Sequence, residues 1–198
     1  MNNVSIQSIE TVYRGIRFRS RLEARWAVFF DSLGICWQYE MEGYRSGSVY
    51  YLPDFKTDDI LGAASSFFEV KPKWPSREEW EKIEMVSANV LIGNPFMVGD
   101  DYLPSSFDYL VWSMNGDGGY CPNVFAVCRY CEKSIELLPS YMVDASFVSD
   151  NPYSESEIKC SWGQGYGYCH CDGADKWPYC FHRRLLVASR AAKSIRFW

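Results

Sequence analysis

Asp54, Glu69 and Lys71 stand in the most strand-like part of a 198-residue chain, where charge is least expected. Asp54 interrupts "YLPDFK", and Glu69 and Lys71 interrupt "FFEVKPK". Their neighbours Tyr50, Tyr51, Leu52, Phe55, Phe67 and Phe68 are aromatic or aliphatic. An unpaired charge in such surroundings is costly unless a metal or a partner compensates it. Residues two apart on a strand share a face, so Glu69 and Lys71 point together while Val70 faces a core. Adjacent antiparallel strands would bring Asp54 beside them. Two converging carboxylates suit a hard divalent cation, Mg²⁺ or Mn²⁺. A lysine on the same face can steady an attacking water or the charge growing on a phosphate. The cation would polarise a phosphoryl oxygen and supply hydroxide near neutral pH. This is the chemistry of phosphodiester hydrolysis. The plainer alternative is a Pro-Asp turn followed by a surface ion pair.

The elements that must position these groups can be read from periodicity and punctuation. In "YRGIRFRSRLEARWAVFFDSLGI", Ser20 is a helix cap and Glu23 completes a capping box. Leu22, Trp26, Phe29, Phe30 and Leu33 form an apolar stripe at helical spacing, and Gly34 ends the helix. Glu23 falls at the inner edge of that stripe, half buried, and becomes a third carboxylate for the site. "CWQYEME", "VYYLPDFKT" and "SSFFEVKPK" read as three strands, with Cys36 a buried free thiol beside Trp37. "SREEWEKIEMVSANV", capped by Ser76, reads as a second helix, and "VLIGNPFMV" and "FDYLVWSM" as further strands. The expected class is α/β (α+β), a central mixed sheet flanked by helices over residues 1–115.

Composition bounds the rest. Nearly half the residues are hydrophobic and 17% are aromatic, which excludes a disordered chain. No apolar run approaches the roughly 20 residues that span a bilayer. The opening "MNNVSIQSIETVYRGIRF" lacks the apolar centre of a secretory signal. A soluble cytoplasmic protein without membrane partners is expected. The net charge of −5 argues against a uniformly basic coat, so any contact with DNA must be local. Arg14, Arg17, Arg19, Arg21 and Arg25 cluster at the entrance of the first helix. Arg17, Arg19, Arg21 and Arg25 are the candidate phosphate contacts; a solvated, ion-paired helix face is the alternative. Arg183, Arg184, Arg190, Lys193 and Arg196 add a second basic stretch on the amphipathic segment 183–198, expected to pack back on the core.

Residues 116–182 differ in character. Seven of the eight cysteines lie between 121 and 180. Cys128 and Cys131 form a C-x₂-C knuckle, and Cys169 and Cys171 a second close pair. Such spacing in an intracellular chain favours structural Zn²⁺ over disulfides, and metal binding would supply folding energy to a loop-rich segment. Cys128, Cys131, Cys169 and Cys171 are the expected ligands, with Cys160, Cys180 or His182 as substitutes for one of them.

The order helix, "YLPDF", "FFEVKPK" resembles the PD-(D/E)XK superfamily, the restriction-endonuclease-like nucleases. More narrowly, residues 13–95 and "RLLVASRAAKSIRF" look like small nucleases carried by bacteriophages. The resemblance implies that Asp54 and Glu69 ligate the catalytic metal, that Glu23 assists or serves a second metal, and that Lys71 is the lysine of the ExK. Pro72 stands where many members have glycine. Glu40 is either an accessory acid or a structural strand-end glutamate. The implied activity is Mg²⁺-dependent DNA cleavage, in a bacterial host's cytoplasm if the chain is phage-encoded. One site per chain cuts one strand per event, so a double-strand break calls for a homodimer or sequential nicks. RNA is a further substrate that the motif leaves open. The competing expectation is an interaction protein that uses the same fold to bind a host factor or nucleic acid.

Overall fold

The helix expected after Ser20 runs from Arg21 to Leu33 (α1). Ser20 is extended, and its Oγ accepts the Glu23 N–H at 3.1 Å and donates to Glu23 Oε1 at 2.7 Å. At the other end Gly34 takes the left-handed conformation at φ 77°, which lets the Ile35 N–H turn back to the Phe30 carbonyl at 2.9 Å. This computed structural model describes residues 8–57, 66–71, 76–89, 95–98, 111–114, 120–128, 133, 135–139, 179–180 and 183–197.

Before α1, β1 (Thr11–Tyr13) and β2 (Ile16–Phe18) form a hairpin. Its turn residues, Arg14 and Gly15, both have positive φ, as a two-residue turn matched to strand twist requires. After α1 come β3 (Trp37–Tyr39), β4 (Tyr44–Ser46), β5 (Val49–Tyr51), β6 (Phe55–Thr57) and β7 (Ser66–Val70). Then follow α2 (Arg77–Asn89), β8 (Pro95–Val98), β9 (Val111–Met114), β10 (Tyr120–Cys128), β11 (Ile135–Pro139), β12 (Tyr179–Cys180) and α3 (Arg183–Ser194).

The main sheet has the order β11-β10-β9-β8-β7-β6-β3, with β12 added beside β10. Its described pairings are antiparallel except β7 with β8, whose parallel crossover contains α2. The result is an α+β arrangement with a mixed sheet and, among the described residues, three helices. The expected strand "VYYLPDFKT" divides in two: β5 pairs with β4 in a separate hairpin, whereas β6 joins the main sheet. Pro53 explains the break, since it has no N–H to continue a ladder. The sheet also runs on past residue 115, because β10 pairs with β9 and sends Phe125 and Val127 into the same core as α1.

That core is largely aromatic. Trp26, Phe29, Phe30, Phe55, Phe68 and Phe125 are fully buried, and Phe30 meets Phe55 and Phe68 at ring-centroid distances of 5.4 and 5.2 Å. α1 is buried on more than the stripe read from its sequence: Ala24, Ala27 and Val28 are covered as well. α3, which packs on α1 through Leu185, Ala188 and Ala192, and the β1–β2 hairpin both add cover to this helix. Ala188 and Ala192, four residues apart, leave no bulk between the two helices. Arg184 fastens the join by donating to the Leu33 carbonyl at 2.7 Å, a helix-end acceptor with no intrahelical partner. Cys36, expected to be buried, is exposed. Ile35 takes the inward position ahead of β3 and turns its neighbour outward. Among the described residues no helix is long and apolar enough to cross a membrane.

If α3 completes the core, Leu185→Ala should lower unfolding stability by about 2–5 kcal/mol, read as a reduced urea midpoint with an unchanged slope.

Candidate active site

The register of β6 with β7 decides where the charges meet. Phe55 lies opposite Phe68, so one further step along the ladder sets Asp54 across from Glu69. The ladder ends there because Pro53 interrupts it, and the Val70 N–H donates to Asp54 Oδ2 at 2.6 Å in place of a main-chain acceptor. Val70 itself points into the aromatic core, as alternation demands, while Glu69 takes the other face. Asp54 is 1% exposed, and Glu69 and Glu23 are also buried.

Each carboxylate has found hydrogen. Glu69 accepts from the Tyr51 hydroxyl at 3.0 Å and pairs with Lys71 Nζ at 2.8 Å. Lys71 also reaches Glu79 on α2, at 3.4 Å. Glu23 accepts from the Tyr39 hydroxyl and, at 3.0 Å, from the Arg19 N–H. The Arg19 guanidinium lies between the two halves: it pairs with Asp54 Oδ1, with Glu40 at 2.8 Å and, more loosely, with Glu23 at 4.0 Å. Two sets of polar contacts result: Glu79, Lys71, Glu69 and Tyr51 form one, and Asp54, Arg19, Glu40 and Glu23 the other. They adjoin where the charge on Glu69 acts on the Asp54 carboxyl.

The electrostatics are strained. Burial, then the charge on Glu69, raises the Asp54 carboxyl to about 8, with a further push from Glu23. The Val70 N–H and Arg19 act in the opposite direction without overcoming these effects. Burial works against the Lys71 ammonium, yet Glu69 and Glu79 outweigh it and hold its pKa above the ordinary value, so Lys71 is a cation and not a base. Burial, aided by Glu69, holds Tyr51 well above its ordinary value, so its hydroxyl stays a donor. Glu40 carries backbone strain as well, with φ at 46°, a region that non-glycine residues rarely adopt. The same residue donates its N–H to the Asp54 carbonyl at 3.0 Å, which fixes the end of β3 against the Asp54 segment.

Among the described residues no three Asp, Glu, His or Cys side chains stand close enough together to hold a metal ion as arranged. The contacts explain this. Every carboxylate is turned toward an N–H, a hydroxyl or a cation of the chain, and Arg19 is interposed where the carboxylates converge. The donor set still fits a hard divalent cation, because Glu23, Glu40, Asp54 and Glu69 offer only oxygen ligands.

The arginines divide differently from the expected phosphate-binding set. Arg19, although its side chain is more than half exposed, pairs with Asp54 and Glu40. Arg17 pairs with Glu10 at 3.3 Å on the surface, and Arg14 with Asp31 at 2.8 Å. Arg21 is exposed and Arg25 half-buried. Sequence reasoning missed Arg19 as a member of the site, together with Tyr39, Tyr51 and Glu79. The available signal was position: Arg19 directly precedes the cap Ser20 and so sits at the mouth of the helix that carries Glu23. Of the expected zinc ligands, Cys128 ends β10, whereas Cys131, Cys169 and Cys171 lie outside the described residues, as do Cys160 and His182. The β10–β12 register sets Cys128 opposite Tyr179 and Cys180 opposite Val127. Compared with family models, curated proteins and solved structures, the chain matches none.

The raised Asp54 carboxyl makes stability fall with pH. The folded chain keeps this proton up to about 8, whereas an unfolded Asp releases it near 3.8, so the folded state holds more protons between those values. The contribution of Asp54 is therefore fully present below the lower value and is lost as pH rises toward the upper one. Asp54→Asn removes that dependence. Without added metal it should be the more stable chain at pH 8, by on the order of 1–3 kcal/mol, with the difference shrinking toward pH 5 in parallel denaturant titrations.

Proposed function

We propose that the chain is a metal-dependent endodeoxyribonuclease with a restriction-endonuclease-like core. The observation that supports this reading is the burial of Glu23, Asp54 and Glu69 near enough for Glu69 and Glu23 to act on the Asp54 carboxyl, with Lys71 paired to Glu69. Buried like charges hold together only when a countercharge is supplied, and the chain's own cations supply part of it.

Asp54 and Glu69 would hold Mg²⁺ or Mn²⁺, with Glu23 assisting. When bound, the ion polarises a phosphoryl oxygen and lowers the pKa of a water, which supplies the nucleophile. Lys71, kept protonated by Glu69 and Glu79, is placed to stabilise negative charge on the phosphate as it is attacked. Tyr51 orients Glu69, and Tyr39 and the Ser20 cap orient Glu23, so both carboxylates are held without freedom to rotate. Aromatic side chains beneath the site exclude water from one side. DNA would approach from the other, past exposed Arg21, and cleavage of both strands would require a second copy or a second event. A bacterial host's cytoplasm is the compartment this reading implies, with a phage as the source.

The structural zinc belongs to the same proposal, with Cys128, Cys131, Cys169 and Cys171 as ligands. What supports it is the pairing of Tyr179–Cys180 with Val127–Cys128, which sets Cys180 on the strand beside the one that ends in Cys128. Purified protein should carry about one zinc per chain by elemental mass spectrometry, lost in Cys128→Ser.

Supercoiled plasmid should be nicked in Mg²⁺ or Mn²⁺ and left intact in EDTA. Asp54→Ala, Glu69→Ala and Lys71→Ala should each reduce the rate by at least about a hundredfold while keeping wild-type circular dichroism. Undiminished nicking by Asp54→Ala and Glu69→Ala would assign the activity elsewhere.

A further inference from the structure

Arg19 is the cation best placed to stand where a metal would. Its guanidinium faces Asp54, Glu40 and Glu23 together, so three carboxyl groups surround one positive charge. The main chain at this point is fixed independently of the side chain: the Arg19 N–H is bound to Glu23 Oε2 and to the Tyr39 hydroxyl oxygen, immediately before the helix cap. The side chain, in contrast, is 57% exposed and makes its charged contacts at the mouth of the site. It can leave without moving the backbone that positions Glu23.

We propose that Arg19 is an internal stand-in cation: it neutralises the carboxylates until a divalent ion displaces it, and the freed guanidinium then binds a phosphate of the nucleic acid. This rests on the metal-site reading above and adds the residue that links ion loading to substrate binding. A divalent ion brings twice the charge of a guanidinium and approaches carboxylate oxygens at about 2.0–2.1 Å for Mg²⁺. It therefore wins the carboxylates when present at sufficient concentration. Once released, the guanidinium lies on the open side of the site, and its planar fork matches two phosphate oxygens. The displaced arginine thus exchanges carboxylate partners for a phosphate partner of the same geometry.

The test uses the full chain and two readouts that need no cleavage. Mn²⁺ binding is measured by calorimetry for wild type, Arg19→Gln, Arg19→Lys and Asp54→Ala, and binding of a short labelled DNA duplex is measured with Ca²⁺ as the ion. Circular dichroism reports folding, and Arg19→Lys retains a cation should the neutral variant fold poorly. Arg19→Gln should bind Mn²⁺ about tenfold more tightly than wild type, the equivalent of one charged hydrogen-bonded contact removed from competition. Arg19→Lys should fall between them. With Ca²⁺ present, Arg19→Gln should bind DNA about tenfold more weakly, because the phosphate contact is lost. Equal or weaker Mn²⁺ binding by Arg19→Gln, with binding abolished in Asp54→Ala, overturns this inference and leaves the metal site standing. Tighter Mn²⁺ binding with unchanged DNA affinity overturns the phosphate half. Absence of Mn²⁺ binding in wild type and every variant overturns both the inference and the metal-site reading beneath it.

Discussion

The burial of three acids, Glu23, Asp54 and Glu69, is the constraint around which the rest of the molecule is arranged. Carboxylates taken out of water retain little of the screening that makes neighbouring charges tolerable at a surface. Here each is held by donors drawn from a different part of the chain: Tyr39 from β3, Arg19 from the end of the first hairpin, Tyr51 from the second hairpin, and Lys71 beyond β7. Removing Tyr51 or Lys71 would take the donor from a Glu69 oxygen, whereas Glu23 Oε2 has two donors. The Val70 N–H to Asp54 bond is the central one, since it joins the two strands that carry the acids at the step where their ladder stops.

The fold supplies rigidity on the apolar side of that arrangement. Phe55 and Phe68, next in sequence to Asp54 and Glu69, are fully buried against Phe30 of α1. A strand that alternates between such a core and such a cluster has little freedom to slip, because a shift of one residue would exchange phenylalanine for glutamate. The helix is held just as firmly at its start, where Ser20 and Glu23 cap each other. Glu23 is therefore both a cap partner and a member of the charge cluster, and its position follows from helix geometry alone.

Much of this was legible in the chain. The cap residues Ser20 and Glu23, the stop at Gly34 and the alternation of Phe68, Glu69 and Val70 each have a local cause, and local causes are visible in sequence. The parts that escaped have distant causes. Nothing in α1 announces that α3 will pack on it, since that contact is made by residues far along the chain. The splitting of the Pro53 segment needed the partner strands to be known, although the proline was a hint. Arg19 could not be told from Arg17 or Arg21 by type, because only the fold brings Asp54 and Glu40 within its reach. Cys36 was misplaced because its inward or outward turn depends on which neighbour, Ile35 or Cys36 itself, the core accepts.

The closure of α3 on α1 has a bearing on how the protein is made. Arg184 and the Leu33 carbonyl it caps are 151 residues apart. At roughly 5–20 residues per second of synthesis, α1 emerges from the ribosome on the order of 8–30 s before its covering helix exists. During that interval the nascent chain presents the surface of α1 against which α3 will pack, a natural target for chaperone capture. Productive maturation is thereby tied to completion of translation through residue 192, and a chain released early would leave its oldest helix uncovered.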